Sequence, residues 1–330
     1  MVSREIRTCF VTGGTGFIGS HLVDFLLERG VDVRCLVRRP SDSGWLDGKA
    51  VQMIKGDLAS TEALMEGIVG ADAVFHLAGA LAAGSREEYF RINAEGCRNM
   101  GRAALTSGEP PAVFVYVSSQ AVAGPSGTGD PIRESTLPVP ITDYGRSKLE
   151  GERILLGMEA LPLVVVRPPT VIGPRDREAF IFFRLASRGI FPVLNRRSVV
   201  SMIFVDDLVK GIWRAAESGR VGEKYFTANE IPLAMSGLPG ILGKALDRKV
   251  KGVFIPRMVL TAAAAASEAW GKIRGRMTVF NRDKVNELTA SGWVCSTEKA
   301  KAELGFTAET PLETAFVTTA GWYRENGWLK

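Results

Sequence analysis

The stretch that most constrains the fold of this chain is residues 9–19, which read CFVTGGTGFIG. A short β-forming run is followed by Gly13, Gly16 and Gly19 in the pattern G-x-x-G-x-x-G, and residues 21–27 continue with helical spacing. Glycines let a backbone turn tightly and approach a pyrophosphate, and the N-terminus of the following helix offers unpaired N–H groups. Because the glycines stand between a predicted strand and a predicted helix, the motif predicts dinucleotide binding rather than an ordinary tight turn.

Composition excludes several classes of protein. Of the 330 residues, 46% are hydrophobic and 23% are charged, which is typical of one large globular domain or one domain with a smaller lobe. The net charge of +5 comes from scattered basic residues without interleaved aromatic residues, so we expect no nucleic-acid partner. Four distant cysteines and two histidines provide almost no ligands for zinc, so we expect no bound metal.

The ends and the apolar stretches of the chain bear on its compartment. The N-terminal residues MVSREIRT lead directly into the first predicted strand, which leaves no room for a signal peptide. No apolar run approaches the length of a bilayer span, so we expect no integral membrane segment. The cysteines lie in apolar stretches, and free buried thiols indicate a reducing compartment. We therefore expect a cytoplasmic protein.

Short apolar strands alternate with helical segments up to about residue 172. This pattern predicts the α/β class: a Rossmann-type doubly wound parallel sheet, buried on both faces, with ligands at the carboxyl ends of its strands. We assign residues 1–172 to an NAD(P)-binding domain. Residues 173–330 are predicted to form a smaller, mostly helical substrate lobe, with residues 199–217 returning to the first domain.

Two capping boxes predict where helices begin. Ser85 and Glu88 predict the start of a helix that runs towards Ser107. Thr310 and Glu313, with a proline at the first helical position, predict the start of a last helix that runs to Asn326.

Residues 144–148 read YGRSK, a Y-x-x-x-K pattern at the start of a helical segment. Positions i and i+4 share one face of a helix, so we expect Lys148 to lie one turn beyond Tyr144 and to lower the pKa of its phenol. A phenol tuned in this way exchanges a proton with a carbonyl or hydroxyl oxygen. The pattern alone also fits two solvated side chains, so the motifs around it must distinguish a catalytic pair from that alternative.

That context resembles the extended (atypical) short-chain dehydrogenase/reductase family, in the NAD-dependent epimerase/dehydratase superfamily. The resemblance spans essentially the whole chain. It is carried, in the order and spacing of the family, by VTGGTGFIGSHLVDFLLERG, GDL, HLAG, INAEGCRN, VYVSSQAVAG, YGRSK, RPPTVIGP and FVDDLVKGI.

The resemblance implies a catalytic group. Tyr144 would be the general acid/base, Lys148 would hold the nicotinamide ribose, and Ser119 would hydrogen-bond the reacting oxygen, with Ser118 as the alternative. Asn93 would support these residues, although a solvated polar residue of a helix is the other interpretation. The residues implied to bind the cofactor lie in the glycine turn, the catalytic helix and the strand ends: Gly13, Thr15, Gly16, Phe17, Ile18, Gly19, Arg38, Asp57, Leu58, Leu77, Ala78, Gly79, Tyr144, Lys148, Pro168 and Val171.

The end of the second predicted strand indicates which cofactor to expect. Val37 stands where an acidic residue would bind the 2′-hydroxyl of NAD. Arg38 follows it in the V-R-x-P pattern, with Arg39 next, and a guanidinium suits the geometry of a 2′-phosphate. We therefore expect NADP, with NAD as the alternative.

Three departures from sugar-modifying members bear on the substrate. Ala123 stands where they usually have tyrosine in V-Y-G, Thr170 stands where they often have asparagine, and residues 199–204 lack an arginine that would hold a diphosphate. These changes favour an apolar substrate. The resemblance is therefore strongest to the 3β-hydroxysteroid dehydrogenase and dihydroflavonol 4-reductase branch. Pocket walls are expected from residues 80–84, 121–124, 170–172 and 180–183.

The predicted function is an NADP-dependent oxidoreductase that interconverts a hydroxyl and a carbonyl on an apolar or aromatic small molecule. One alternative is a nucleotide-sugar epimerase or dehydratase with tightly bound NAD(P), for which Arg175 and Arg177 would supply positive charge. The other is a non-catalytic cofactor sensor, against which the presence of Ser119, Tyr144 and Lys148 together argues.

Two groups of helical segments bear on the binding partners of the protein. The resemblance implies a homodimer in which the helices at residues 85–107 and 144–158 pair with their copies, and Leu149, Ile154, Leu155 and Leu156 would add apolar surface. The alanine-rich run at residues 262–266 predicts a close-packed helix, with a weak membrane-surface contact near Met258, Val259 and Leu260 as the alternative.

Overall fold

The structure is a computed structural model that describes residues 4–38, 44–127, 130–273 and 282–329. Arg39 lies outside the described residues. The described strands are β1 (Thr8–Thr12), β2 (Asp32–Val37), β3 (Val51–Lys55), β4 (Ala73–His76), β5 (Val113–Val117), β6 (Leu163–Arg167), β7 (Thr170–Ile172), β8 (Ile190–Val193), β9 (Val199–Val200), β10 (Met202–Phe204), β11 (Lys224–Phe226), β12 (Leu233–Ala234), β13 (Lys251–Phe254) and β14 (Gly292–Trp293).

The helices of the described residues surround these strands. They are α1 (Phe17–Leu27), α2 (Thr61–Ile68), α3 (Arg86–Phe90), α4 (Gly96–Thr106), α5 (Asp143–Leu156), α6 (Phe180–Ala186), α7 (Val205–Ser218), α8 (Leu238–Leu246), α9 (Arg257–Ile273), α10 (Arg282–Thr289), α11 (Glu298–Leu304) and α12 (Leu312–Glu325). Among them, none combines the length and hydropathy needed to cross a bilayer.

Seven parallel strands form the central sheet in the order β11-β6-β5-β4-β1-β2-β3. The chain winds outward in both directions from β1, so the predicted Rossmann-type doubly wound fold is confirmed. The register aligns Thr12, which ends β1, with His76, which ends β4. The carboxyl ends of these neighbouring strands therefore open on one edge of the sheet.

Alternation of side chains along the strands divides the core into two layers. Val11 and Val115 point to the face covered by α1 and α7, while Phe10 and Phe114 point to the face covered by α2, α4 and α5. Both faces are buried, which explains the nearly continuous apolar sequence of these strands.

A second region is built mainly from helices. Side chains of α6, α8 and α12 form its core with Phe191 of β8, and the parallel pair β8–β13 lies at its side. The chain also returns to the central sheet, because α7 packs on β5 and β6 and because β11 pairs with β6 at the sheet edge. The division at residue 172 stays a prediction.

One of the two predicted helix starts agrees with the structure. The capping box at Ser85 is confirmed, since its Oγ accepts from the backbone N–H of Glu88 at 3.2 Å. The box at Thr310 is wrong: Pro311 is the N-cap, and the N–H of Thr310 donates to Asp207 instead.

Candidate active site

The glycine turn between β1 and α1 leaves no room for side chains. Gly13 has φ +79°, and a Cβ there would lie 2.8 Å from the backbone nitrogen of Ala78. A Cβ at Gly19 would overlap the carbonyl of Gly13, which already accepts from the N–H of Gly16 at 3.0 Å. Gly16 is exposed at the N-terminus of α1. A backbone cradle of this kind fits a dinucleotide pyrophosphate.

The next residues of the motif offer their backbone to this cradle. Thr15 is half-buried in the turn, Ile18 packs against the core, and the ring of Phe17 lies edge-on to His21 at 5.8 Å. Phe17 and Ile18 begin α1, so their N–H groups lack partners one turn earlier in the helix. They are therefore positioned to hold a phosphate through the backbone.

The residues predicted to bind the adenosine half and the middle of the cofactor follow the carboxyl ends of β2, β3 and β4. Arg38 is exposed directly after β2. Asp57 is exposed after β3, and its carboxylate accepts from the N–H of Ala59 at 2.8 Å, while Leu58 packs against Gly96 of α4. After β4 come Leu77, Ala78 and Gly79, and Thr12 of β1 accepts hydrogen bonds from the first two through its carbonyl and hydroxyl oxygens.

Ser119 and Tyr144 meet beyond the carboxyl end of β5. The Ser119 hydroxyl faces the phenol of Tyr144, and its Oγ accepts from the N–H of Ala121 at 3.1 Å. Burial raises the pKa of Tyr144, and Ser119 only partly opposes that shift. In the free protein desolvation thus outweighs the neighbouring groups, and the expected effect of Lys148 on this pKa stays a prediction.

Lys148 lies one turn further along α5 and is almost fully buried. Its Nζ donates to the carbonyl of Val117 at 2.8 Å and lies 4.4 Å from the ring centroid of Tyr116. Burial lowers the pKa of Lys148 to about 8, although Cys97 and Glu152 oppose the shift. The ammonium group therefore loses its proton near physiological pH more readily than an exposed lysine does.

Asn93 is buried, so the interpretation as a solvated residue is wrong. It lies in a single π-helical turn, Arg91–Glu95, which interrupts the predicted helix at residues 85–107. Its Nδ2 donates to the Ser147 Oγ at 2.9 Å and to the Ala80 carbonyl at 3.2 Å, and its Oδ1 accepts from the Ala80 N–H at 2.8 Å. Asn93 thus joins the loop after β4 to the helix that carries Lys148.

Ser118 differs from Ser119 in its contacts. Its Oγ is buried without a hydrogen-bond partner among the described residues, whereas the Ser119 Oγ accepts from the N–H of Ala121. Pro168, after β6, is buried and accepts from the N–H of Gln120 at 2.8 Å. Val171 of β7 is half-buried between the sheet core and the core of the helical region.

Part of the expected pocket wall is wrong. Phe183 is buried in the core of the helical region, and Phe180 packs on the rings of Tyr323 and Trp328. Arg175 is paired with Asp24 of α1 at 2.8 Å and lies over the ring of Trp45. These side chains therefore contact residues that are distant in the sequence, whereas the sequence analysis predicted them beside the substrate.

A buried polar layer lies beneath Lys148. His76 contacts the Thr12 Oγ1 at 2.7 Å and the Cys97 Sγ at 3.5 Å, and its ring stacks on Tyr116. Burial lowers the pKa of His76 to about 3, which keeps the ring neutral. His76 is therefore a packed residue and not the acid or base of the site.

Sequence analysis missed a buried ion pair between α5 and β6. Glu152 accepts from the Nε and Nη2 of Arg167 at 2.9 and 2.6 Å. Helical spacing contained a signal, because Glu152 is four residues beyond Lys148 and eight beyond Tyr144. An arginine at the end of the apolar strand LVVVR was the second signal.

Comparison with known proteins identifies the scaffold. A family model described as "NAD dependent epimerase/dehydratase family" matches residues 9–228. The chain belongs to this family. A ceramide reductase of Caulobacter vibrioides is 32% identical over 332 residues, which cover 97% of this chain and 95% of that protein. The chain is an NAD(P)-dependent oxidoreductase of the extended short-chain dehydrogenase/reductase type.

Other relatives confirm the predicted branch. A dihydroflavonol 4-reductase-like protein of Synechocystis sp. is 29% identical, over 97% of this chain and 96% of that protein. A 3beta-hydroxysteroid-dehydrogenase/decarboxylase of Arabidopsis thaliana is 25% identical, over 96% of this chain and 80% of that protein.

Solved structures confirm the fold. The crystal structure of gox2253 superposes with a TM-score of 0.82 at 28% identity, covering 98% of this chain and all of that one. DesIV, a dTDP-glucose 4,6-dehydratase from Streptomyces venezuelae solved with NAD, has a TM-score of 0.79 at 23% identity, covering 98% of this chain and 99% of that chain. At that identity the likeness to DesIV concerns the fold alone.

Proposed function

We propose that this protein uses NADP to interconvert a hydroxyl and a carbonyl on an apolar small molecule, with Tyr144 as the general acid/base. The observation that carries the proposal is the position of the Ser119 hydroxyl beside the Tyr144 phenol at the carboxyl end of the sheet, with Lys148 buried one turn along the same helix. This arrangement presents two O–H groups to one substrate oxygen beside the glycine cradle.

In the proposed complex, Gly13, Gly16 and Gly19 hold the pyrophosphate, and Arg38 holds the 2′-phosphate. Asp57 and Leu58 border the adenine, Leu77 to Gly79 line the middle of the cofactor, and Pro168 and Val171 border the nicotinamide. When bound, the nicotinamide supplies hydride to the substrate carbon or accepts it from that carbon.

The residues of this chain handle the proton. In reduction, the Tyr144 hydroxyl gives its proton to the carbonyl oxygen, and in oxidation the phenolate takes the hydroxyl proton back. Ser119 donates a hydrogen bond to the same oxygen. A protonated Lys148 favours the phenolate through its charge and offers an N–H donor to a ribose hydroxyl.

An apolar substrate is supported by charge and by the relatives of this chain. They include a ceramide reductase and a 3beta-hydroxysteroid-dehydrogenase/decarboxylase, whose names indicate largely apolar substrates. A nucleotide sugar would need cations to replace the water around two phosphates. Arg175, one of the two arginines predicted for that purpose, is engaged by Asp24.

A turnover assay tests this proposal directly. We expect NADPH to be consumed in proportion to an aromatic or alicyclic ketone, with the alcohol as product. Stabilisation by UDP- or dTDP-sugars in a thermal-shift screen with NADP⁺, with no hydrophobic carbonyl or alcohol stabilising the protein, would favour the epimerase or dehydratase alternative. Absence of turnover for every compound of both classes would support the cofactor-sensor alternative.

We also propose a homodimer and a cytoplasmic location. Leu149 and Leu155 are already buried within the subunit, so they add nothing to a dimer contact; Ile154 and Leu156 are half-buried. Ile154 is therefore the residue of α5 that best supports pairing of two subunits.

The four cysteines are buried free thiols, which suits a reducing compartment such as the cytoplasm.

A further inference from the structure

Helix α9 has apolar residues on two opposite sides. Leu260 and Ala264 are buried against Val285 of α10. Between the exposed Arg257, which begins the helix, and residue 270, the exposed positions of α9 are uncharged: Met258, Val259, Thr261, Ala262, Ala263, Ala266, Ala269 and Trp270. Met258 is 84% exposed and Val259 is 56% exposed. A helix of a globular protein normally directs charged residues to its solvent side, so this outer face is unusual.

The segment before α9 extends the apolar surface. In the parallel pair β8–β13, the side chains of Ile190 and Val253 point to the same outer face, and both are exposed. Phe254 points to the opposite side of this pair, where it is also exposed and the guanidinium of Arg196 lies 5.2 Å from its ring centroid. We call Ile190, Val253 and the outer side of α9 the apolar face.

Positive charge is concentrated around the apolar face. Residues 184–197 and 244–257 contain nine lysines and arginines and one acidic residue, whereas the chain as a whole has 41 basic and 36 acidic residues. The rest of the chain is therefore net negative. The pairing of β8 with β13 and a hydrogen bond from Arg248 to the Ser187 carbonyl bring the two segments together. An open depression in this basic region has Lys244, Arg248 and Lys249 among its lining residues, together with the acidic Asp247. Lys244 is also paired with Glu313.

The ring of Tyr89 lies 6.4 Å from that of Tyr144, and its hydroxyl donates to the carbonyl of Leu81, an exposed apolar residue. Apolar surface therefore reaches the solvent close to the catalytic group. Helix α10 covers the inner side of α9.

We propose that the apolar face, with its surrounding cations, docks on the surface of a bilayer that contains anionic lipids and that substrate enters from there. Apolar side chains at the acyl boundary, with lysines and arginines at the level of the headgroups, are the combination that binds helices to such surfaces. This inference rests on the proposed function only for the substrate route. The docking itself is independent of what the enzyme turns over.

Vesicle sedimentation with the full chain tests the docking. We expect the protein to bind vesicles of phosphatidylcholine mixed with phosphatidylglycerol, and to bind pure phosphatidylcholine much less. High salt should weaken the binding, because it screens the charges of the lipids and of the basic segments. No sedimentation with the mixed vesicles at low salt would overturn the proposal.

Matched variants test whether the apolar face is responsible. The double variant Met258→Glu, Val259→Glu should weaken vesicle binding at least about tenfold, because two side chains no longer enter the apolar layer. Lys249→Glu with Lys251→Glu should also weaken it, by about fivefold or more for each charge reversed. Ile231→Glu is the control, because Ile231 is 76% exposed but belongs to another surface. An equal loss in the control would overturn the proposal.

Two further measurements separate the alternatives. If the double variant changes the mass of the protein without vesicles, the face is an interface between protein chains and the proposal is wrong. Turnover of a small water-soluble ketone should be unchanged in the double variant. If no ketone is turned over but vesicles are bound, the proposed function fails and the docking stands. If a ketone is turned over but no vesicles are bound, only the docking is overturned.

Discussion

Arg167 and Glu152 form a two-pronged ion pair in which both side chains are fully buried, with nitrogen–oxygen distances of 2.9 and 2.6 Å. The pair ties the end of β6, which leads into Pro168, to the middle of α5, which carries Tyr144 and Lys148. A guanidinium matches a carboxylate with two parallel bonds, so the pair fixes distance and orientation together. It therefore sets the position of the catalytic helix relative to the sheet.

Removing one partner of this pair should strongly destabilise the fold. We expect Arg167→Met to lower the free energy of unfolding by about 3–5 kcal/mol, because the Glu152 carboxylate would stay buried without a partner. Urea unfolding measures this change. The double variant Arg167→Met, Glu152→Leu should lose less than the single variant.

The control for this prediction is an exposed ion pair. Lys301 and Glu230 are paired at 2.8 Å with both side chains largely in solvent, so Lys301→Met should cost less than about 1 kcal/mol. A similar loss in the two single variants would contradict the importance assigned to the buried pair.

Tyr144→Phe should abolish turnover and leave cofactor binding largely intact. The substitution removes the O–H that exchanges the proton, and general acid/base catalysis contributes about 10²–10⁴ in rate. Steady-state kinetics and a cofactor titration by fluorescence measure the two quantities separately. Near-full activity of the variant on a true substrate would show that another group is the acid/base.

Ser118→Ala provides a matched control for the same site. Its Oγ has no partner among the described residues, so its removal should leave kcat almost unchanged. Ser119→Ala, by contrast, removes the hydroxyl that contacts Tyr144 and should lower kcat.

Arg38→Ala should weaken NADPH binding about tenfold or more and change NADH binding little. The reason is the loss of a charge-assisted bond to the 2′-phosphate, which NADH lacks. Calorimetric titration of both cofactors measures the effect, and Arg324→Ala on α12 serves as an exposed control. Tighter binding of NADH than of NADPH by the unaltered protein would contradict the predicted cofactor.

Lys148→Met should stabilise the protein at neutral pH while it impairs turnover and cofactor binding. The pKa of Lys148 is about 8 in the fold and near 10.5 in an exposed lysine, so the unfolded chain binds more protons between these values. The cost of the buried charge is fully present below pH 8 and disappears as pH rises to 10.5. We expect a gain of about 1–3 kcal/mol at pH 7.

The pH dependence checks this origin of the stability gain. The difference between the two proteins in urea unfolding should shrink steadily above pH 8. A difference that is constant from pH 7 to pH 10 would mean that packing, and not the charge, separates them.

A homodimer built on α4 and α5 should be broken by Ile154→Glu. A charge in the centre of an apolar contact is costly to desolvate, so the mass in light scattering should fall from the dimer value to 35.7 kDa. Val317→Glu on α12, at a more exposed position, is the control. A mass near 35.7 kDa for the unaltered protein at micromolar concentration would contradict the dimer.

The sequence by itself determined the features that depend on neighbouring residues. The spacing of Gly13, Gly16 and Gly19, the apolar strands and the capping box at Ser85 are local, and each is present as predicted. The pairing of Tyr144 with Lys148 on one helical face also follows from spacing of four residues. Parallel topology followed because nearly continuous apolar strands require cover on both faces.

Tertiary structure decided what distant segments do to one another. Arg175 pairs with Asp24, which lies 151 residues earlier, so no local pattern could show that its charge is already engaged. Burial of Tyr144 and Lys148 depends on every element packed around them. It raises the pKa of Tyr144 and lowers the pKa of Lys148, and neither shift follows from the spacing of the two residues. Desolvation is a property of the assembled environment, which a sequence pattern does not contain.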